Sequence, residues 1–242
     1  MKNVKKALLV VLCVILLVVS SVLGTLAYLT DNESVVNTFT VGQIHILLDE
    51  EDTDNDDNKT DITPDSNPKR DKANEYHLIP GSTYEKDPTV WVAADSEDAW
   101  VFVTVANGIS DIEADTEDTA NGYKKIVDQM TANGWLALTK NGAQVAYNGL
   151  PVYYYKDIVA KNASAEQKKL VVFSEFKIDG NKAVNVTENN TLTPEEIAAG
   201  KRDIANYTSA NITVTAYAIQ SAGFETNVIG AWEALNGSLP TT

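Results

Sequence analysis

The stretch Ala99-Trp100-Val101-Phe102-Val103-Thr104-Val105 is apolar on both of its alternating parities. Alternate side chains of a strand point to opposite faces, so a strand without a polar face belongs inside a sheet, covered from both sides. Outward from it, strand signals recur at short intervals between turn residues. Upstream lie His77-Leu78-Ile79, closed by the turn Pro80-Gly81-Ser82, and Val90-Trp91-Val92 after Pro88. Downstream, Trp135 to Leu138 and Ala143 to Tyr147 flank Lys140-Asn141-Gly142, a hairpin turn signal. Val152 to Tyr155 and Leu170 to Ile178 follow, with a polar Ala/Lys-rich segment between them that has room for a helical turn. Ala210 to Ile219 alternates most cleanly, with Ile212, Val214, Ala216 and Ala218 on one face.

Helical spacing is confined to short pieces. Ile126, Val127 and Met130 precede a closing Asn133-Gly134, and Val228, Ile229, Trp232 and Leu235 precede Asn236-Gly237. Thr193-Pro194-Glu195-Glu196 reads as a helix start, with Thr193 as N-cap and Pro194 in the first turn. The sum is one all-β antiparallel β-sandwich over residues 28–242 with a few short helices in its loops. Trp91, Trp100, Trp135 and Trp232 each sit in an apolar pattern and are expected in the core. The run Tyr153-Tyr154-Tyr155 is expected to expose at least one ring, a candidate contact surface.

The 242 residues carry 19 basic and 34 acidic side chains, a net charge of −15. Nucleic acid is excluded as a partner by that balance, because neutralising phosphates takes clustered Lys and Arg. One cysteine (Cys13) and two histidines (His45, His77) rule out a disulfide framework and a Cys/His zinc cluster. Lys2, Lys5 and Lys6 precede an unbroken apolar or small-residue run from Ala7 to Gly24, the layout of a secretory signal peptide. Cleavage is expected between Ala27 and Tyr28; a retained membrane anchor is the competing reading, since a run of about 18 residues nears the spanning minimum. Residues 1–27 hold three lysines and no acid, so the exported chain has 16 basic and 34 acidic residues, a net charge of −18, and no cysteine. It must hold together by burial alone.

Asp49 to Asp61 holds eight acids and one lysine, and polar sequence continues past Pro64, Pro68 and Lys69-Arg70 to about Glu75. Residues 49–75 are expected to form a solvated, disordered loop inserted within the sandwich. Asp52, Asp54 and Asp56 have the spacing of an EF-hand start, but Asp57 replaces the required Gly and Thr63 the required Glu. No cofactor follows from this beyond weak, loose calcium binding by the acidic loop. Before that loop, Phe39 and Val41 share one parity while Ile44, Ile46 and Leu48 share the other, with Gly42 between, the mark of a bulge or bend.

Catalytic chemistry finds little support. A zinc hydrolase wants paired helical histidines with a glutamate, whereas His45 and His77 lie 32 positions apart in strand-like contexts. Neither a GxSxG elbow nor a thiol in the exported chain offers a nucleophile. The chain is therefore not expected to be an enzyme.

Three stretches resemble one family, the TasA/camelysin group of exported bacterial biofilm-matrix and cell-surface proteins. GTLAYLTDNESVVNTFTVGQIHILL (24–48) carries a G-T-x-A export junction and Asn-Thr-Phe-x-x-Gly before an alternating strand. LIPGSTYEKDPTVWVAADSEDAWVFVTV (78–105) and ANITVTAYAIQ (210–220) are similar to the family's turn with two strands and its late strand. The resemblance implies a jelly-roll sandwich, processing by a dedicated type I signal peptidase, and a secreted location in the extracellular matrix or on the cell surface. It further implies homopolymeric fibres built by donor-strand exchange, alone or with an accessory matrix protein, and no membrane contact beyond the uncleaved signal. Val35, Val36, Phe39 and Val41 suit such a donor strand; they equally suit the first strand of their own subunit. The alternatives are a secreted camelysin-like metalloprotease and a monomeric cell-surface or accessory domain.

Overall fold

The computed structural model describes residues 4, 6, 11–17, 43–53, 70–115, 122–160, 167–184, 192–207 and 210–237. Residues divide into two units, 1–41 and 42–242. In the first, residues 4, 6 and 11–17 are helical, and Val11, Leu12, Val14, Ile15, Leu16 and Leu17 are exposed, as is Cys13. Among the described residues no helix is long and apolar enough to cross a membrane.

The second unit is an antiparallel two-sheet sandwich. Its first sheet runs β11-β4-β1-β2, built from β1 (Ile46–Glu51), β2 (Arg70–Asp71), β4 (Thr89–Val92) and β11 (Lys168–Val171). The second runs β15-β5-β10-β6, from β5 (Ala99–Asn107), β6 (Trp135–Ala137), β10 (Leu150–Tyr155) and β15 (Ile212–Gln220), with β9 (Ala146–Tyr147) also pairing β10. Short ladders join β3 (Thr83–Glu85) to β12 (Glu175–Lys177), and β7 (Thr139–Lys140) to β8 (Ala143–Gln144). Among the described residues one pair is parallel, joining β13 (Ala183–Val184) to β14 (Arg202–Asp203).

β5 is the inner strand its composition demands. Val101, Val103 and Val105 meet Val90, Val92 and Leu170 of the facing sheet in the main core. Trp100 and Phe102, on the opposite parity, pack under Trp232 of the helix α3 (Val228–Asn236) in a second core. Nine paired positions fix β15 beside β5, from Ile212↔Asn107 to Gln220↔Ala99. That register turns Ile212, Val214, Ala216 and Ala218 toward the main core, and Tyr217 and Ile219 toward the second.

The local signals act as expected where only neighbouring residues are involved. Asn141 (φ 53°) and Gly142 (φ 81°) form the left-handed turn between β7 and β8. Ile126 and Met130 bury one face of α1 (Ile126–Ala132), and Thr193 caps α2 (Pro194–Ala198) in a capping box with Glu196.

Several expectations are corrected. Leu170 to Ile178 is not one strand: β11 pairs β4, then the chain crosses to pair β3 as β12. The crossing is satisfied from α1 and β6: Gln129 Oε1 accepts from Ser174 N (2.9 Å), and Trp135 Nε1 donates to Val171 O (2.8 Å). His77-Leu78-Ile79 belongs to no ladder. The tyrosine run presents no exposed ring, because Tyr153 is buried, Tyr154 packs edge-on to Trp100 and Tyr155 edge-on to Trp135. Trp91 is half-buried and lies outside the core, with Lys169 and Arg70 against its ring (5.6 and 5.8 Å). The acidic insertion is shorter than 49–75: Asp49, Glu50 and Glu51 end β1, and Arg70 and Asp71 pair with Glu51 and Glu50 as β2. Of the Ala/Lys-rich segment between Tyr155 and Leu170, residues 161–166 lie outside the described residues, as does the Gly42 bend.

Candidate functional site

β1 carries its acidic tail into the protein, and alternation sends successive acids to opposite faces. On the outer face Asp49 is buried and accepts from Arg70 Nε (2.9 Å) and Trp91 Nε1 (2.8 Å). Arg70 Nη1 reaches on to Asp87 Oδ2 at 2.7 Å, and Asp87 Oδ1 accepts from Glu51 N at 2.7 Å. Burial alone works against the Arg70 charge, but hydrogen bonds to Asp87 and Asp49 outweigh it and raise its pKa above the ordinary value. On the inner face Glu50, also buried, pairs with Lys86 and accepts from Asn74 Nδ2 (3.0 Å). Acids this deep are tolerable only with such partners. Together they bring residue 53 and residue 70, the two described ends of the acidic segment, to the same end of the first sheet.

Beside this anchor lies a groove of about 870 Å³, in the size range of ligand clefts. Its apolar lining comes from Leu48, Tyr76, Ile109, Phe176, Ile204 and Val214. Lys72, Glu75 and His77 ring it with charge and polarity. Two strands border it: the end of β1, and the start of β15. β15 is terminal in its sheet, and among the described residues only β5 pairs with it. Among the described residues its other side carries no ladder, and a row of backbone donors and acceptors on such a side suits pairing with a further strand.

The remaining candidate residues are scattered. His45 Nδ1 lies 3.9 Å from Asp95, with both side chains well exposed, and His77 is exposed on the groove's rim. Among the described residues no group of three or more His, Cys, Asp and Glu is arranged to hold a metal ion. Ala27 and Tyr28 of the cleavage site, and Val35, Val36, Phe39 and Val41 of the donor segment, lie outside the described residues. So do Asp54, Asp56, Asp57 and Thr63 of the calcium reading.

A second buried carboxylate serves the fold. Glu113 accepts from Asn107 Nδ2 (2.9 Å), Tyr123 Oη (2.8 Å) and Ile126 N (2.8 Å), so it closes the start of α1 from a distance. Burial first, and then the Glu113 charge, push the Tyr123 phenol far above its ordinary pKa, fixing it as a donor.

Reading the sequence alone missed both the ionic anchor and the groove. A faint signal for the anchor exists: Lys69-Arg70 closes an acidic run, and an arginine there can fork between carboxylates. The groove has none, because its walls come from segments more than a hundred residues apart. Compared with known proteins, the chain matches no family model, no curated protein and no solved structure.

Proposed function

We propose that the chain is an exported structural protein of the extracellular matrix or cell surface, assembling into fibres by donor-strand exchange. In this reading the segment 35–41 of one copy lies along β15 of the next and completes its sheet. The jelly-roll form of the sandwich, signal-peptidase processing at Ala27-Tyr28 and a non-enzymatic role belong to the same proposal. The observation that carries it is that β15 ends its sheet among the described residues and borders an apolar groove. An extended segment satisfies such an edge with main-chain hydrogen bonds, while alternate side chains fill the groove. Val35, Phe39 and Val41 share a parity and supply those side chains.

Electron microscopy of the chain beginning at Tyr28, beside one beginning at Gly42, tests this. Fibres are expected from the first and none from the second. A first chain that stays monomeric at high concentration, across salt and pH, overturns the proposal.

A further inference from the structure

One wall of the groove is a segment that imitates a strand without joining a sheet. Between β2 and the Pro80-Gly81 turn, residues 73–79 alternate in exposure, with Asn74, Tyr76 and Leu78 half-buried. Ala73, Glu75, His77 and Ile79 face outward. This is the alternation of a half-buried strand. No residue from 73 to 79 takes part in a ladder; side chains do much of the anchoring. Asn74 Nδ2 donates to Glu51 O (2.9 Å) and its Oδ1 accepts from Thr53 N (2.7 Å). The Tyr76 ring sits edge-on to Phe176 (5.2 Å) and Tyr84 (5.9 Å), with the Lys86 ammonium 5.7 Å from its centre. Tyr76 Oη donates to Glu85 O at 3.0 Å, and Tyr84 Oη bridges Ile79 N and His77 O at 2.6 Å each.

Tyr76 and Leu78 thus line the groove together with the ends of β1 and β15 and pack against the main core, taking up apolar surface that alternate side chains of an incoming strand require. We infer that residues 73–79 are a built-in strap that holds the groove in the free subunit and withdraws from it when a second copy's segment 35–41 enters. This rests on the fibre reading above. Physically it is a competition: an arm held outside any ladder gives way to a strand that adds main-chain bonds along β15. The strap would keep an apolar groove covered in the free subunit and set a barrier to growth.

Hydrogen exchange on the chain from Tyr28, free and in fibres, reads this directly. Residues 73–79 are expected to exchange faster in fibres and β15 slower. Tyr76→Ala should shorten the growth lag about tenfold, the factor that losing interactions of ordinary net strength makes in a two-state equilibrium. Tyr76→Phe, a gentler change that keeps the ring and removes the bond to Glu85, should shorten it less. Gly142→Ala, which strains the hairpin away from the groove, should leave the lag unchanged and so separates strap release from general destabilisation. Fibres in which 73–79 stays as protected as in the free chain, or a Tyr76→Ala lag no shorter than that of Gly142→Ala, overturn the strap while leaving the fibre reading intact. Absence of fibres from the unaltered chain overturns both.

Discussion

Arg70 and Asp49, 21 positions apart, meet guanidinium to carboxylate at 2.8 Å with side chains 9 % and 2 % exposed. The pair ties β2 back onto β1 across the acidic segment, and through Asp87 onto the start of β4. Removing one partner of a buried pair leaves the other charge uncompensated, which typically destabilises by about 3–5 kcal/mol. Arg70→Ala is expected to lose that much in urea unfolding. A loss comparable to that of an exposed surface pair would mean that water screens the site.

Tyr123 and Glu113 form the second buried unit, and its prediction concerns a single hydrogen. Tyr123→Phe keeps the ring and deletes one of the three donors on the Glu113 carboxylate. Hydrogen bonds to charged groups are worth roughly 1.5–3 kcal/mol, so a loss of that order is expected in thermal or chemical unfolding. An unchanged stability would mean that water replaces the phenol.

Asp115 should titrate unusually low. Hydrogen bonds from Lys125 first, and then Lys182, hold its pKa at about 2 against an ordinary 3.8. Because the folded value is depressed, the stabilisation is complete above the ordinary pKa. It fades as pH falls toward the folded one, between 3.8 and about 2. Carboxyl chemical shifts in an NMR titration report the value, and Lys125→Ala or Lys182→Ala should move it upward. An Asp115 that titrates at its ordinary pKa would show that the two lysines spend their time in solvent.

Gly108 lies where β5 ends and β15 begins. A methyl group there would stand 2.8 Å from Asn211 O and 3.0 Å from Asn211 N, both backbone atoms with little freedom to retreat. Gly108→Ala is expected to cost about 1–3 kcal/mol, the usual range for overpacking. Calorimetry checks the loss; an unaltered melting temperature would mean that the strands part there without penalty.

Charge makes a prediction about growth. If the proposed cleavage after Ala27 and the proposed fibres hold, each subunit carries −18 and repels its like, so growth should accelerate with added salt as screening shortens the reach of that repulsion. Light scattering over a salt series measures this, and rates flat in ionic strength contradict it.

Local chemistry was legible in the residues themselves. The two apolar parities of Ala99 to Val105 place β5 inside a sheet, Asn141-Gly142 forces a left-handed turn, and Thr193 with Glu196 starts a helix. Each depends on groups a few positions apart, whose geometry the chain sets by itself. Composition likewise sets the acidic balance and the single cysteine without any coordinates. Only tertiary structure decided that Asp49 and Glu50, read as the start of a solvated loop, are buried strand residues. Whether a carboxylate can enter a core depends on what meets it there, and Arg70 and Lys86 arrive from 21 and 36 positions away. Tertiary structure also decided which strands end their sheets among the described residues, because sheet order joins segments too distant for any local pattern to record.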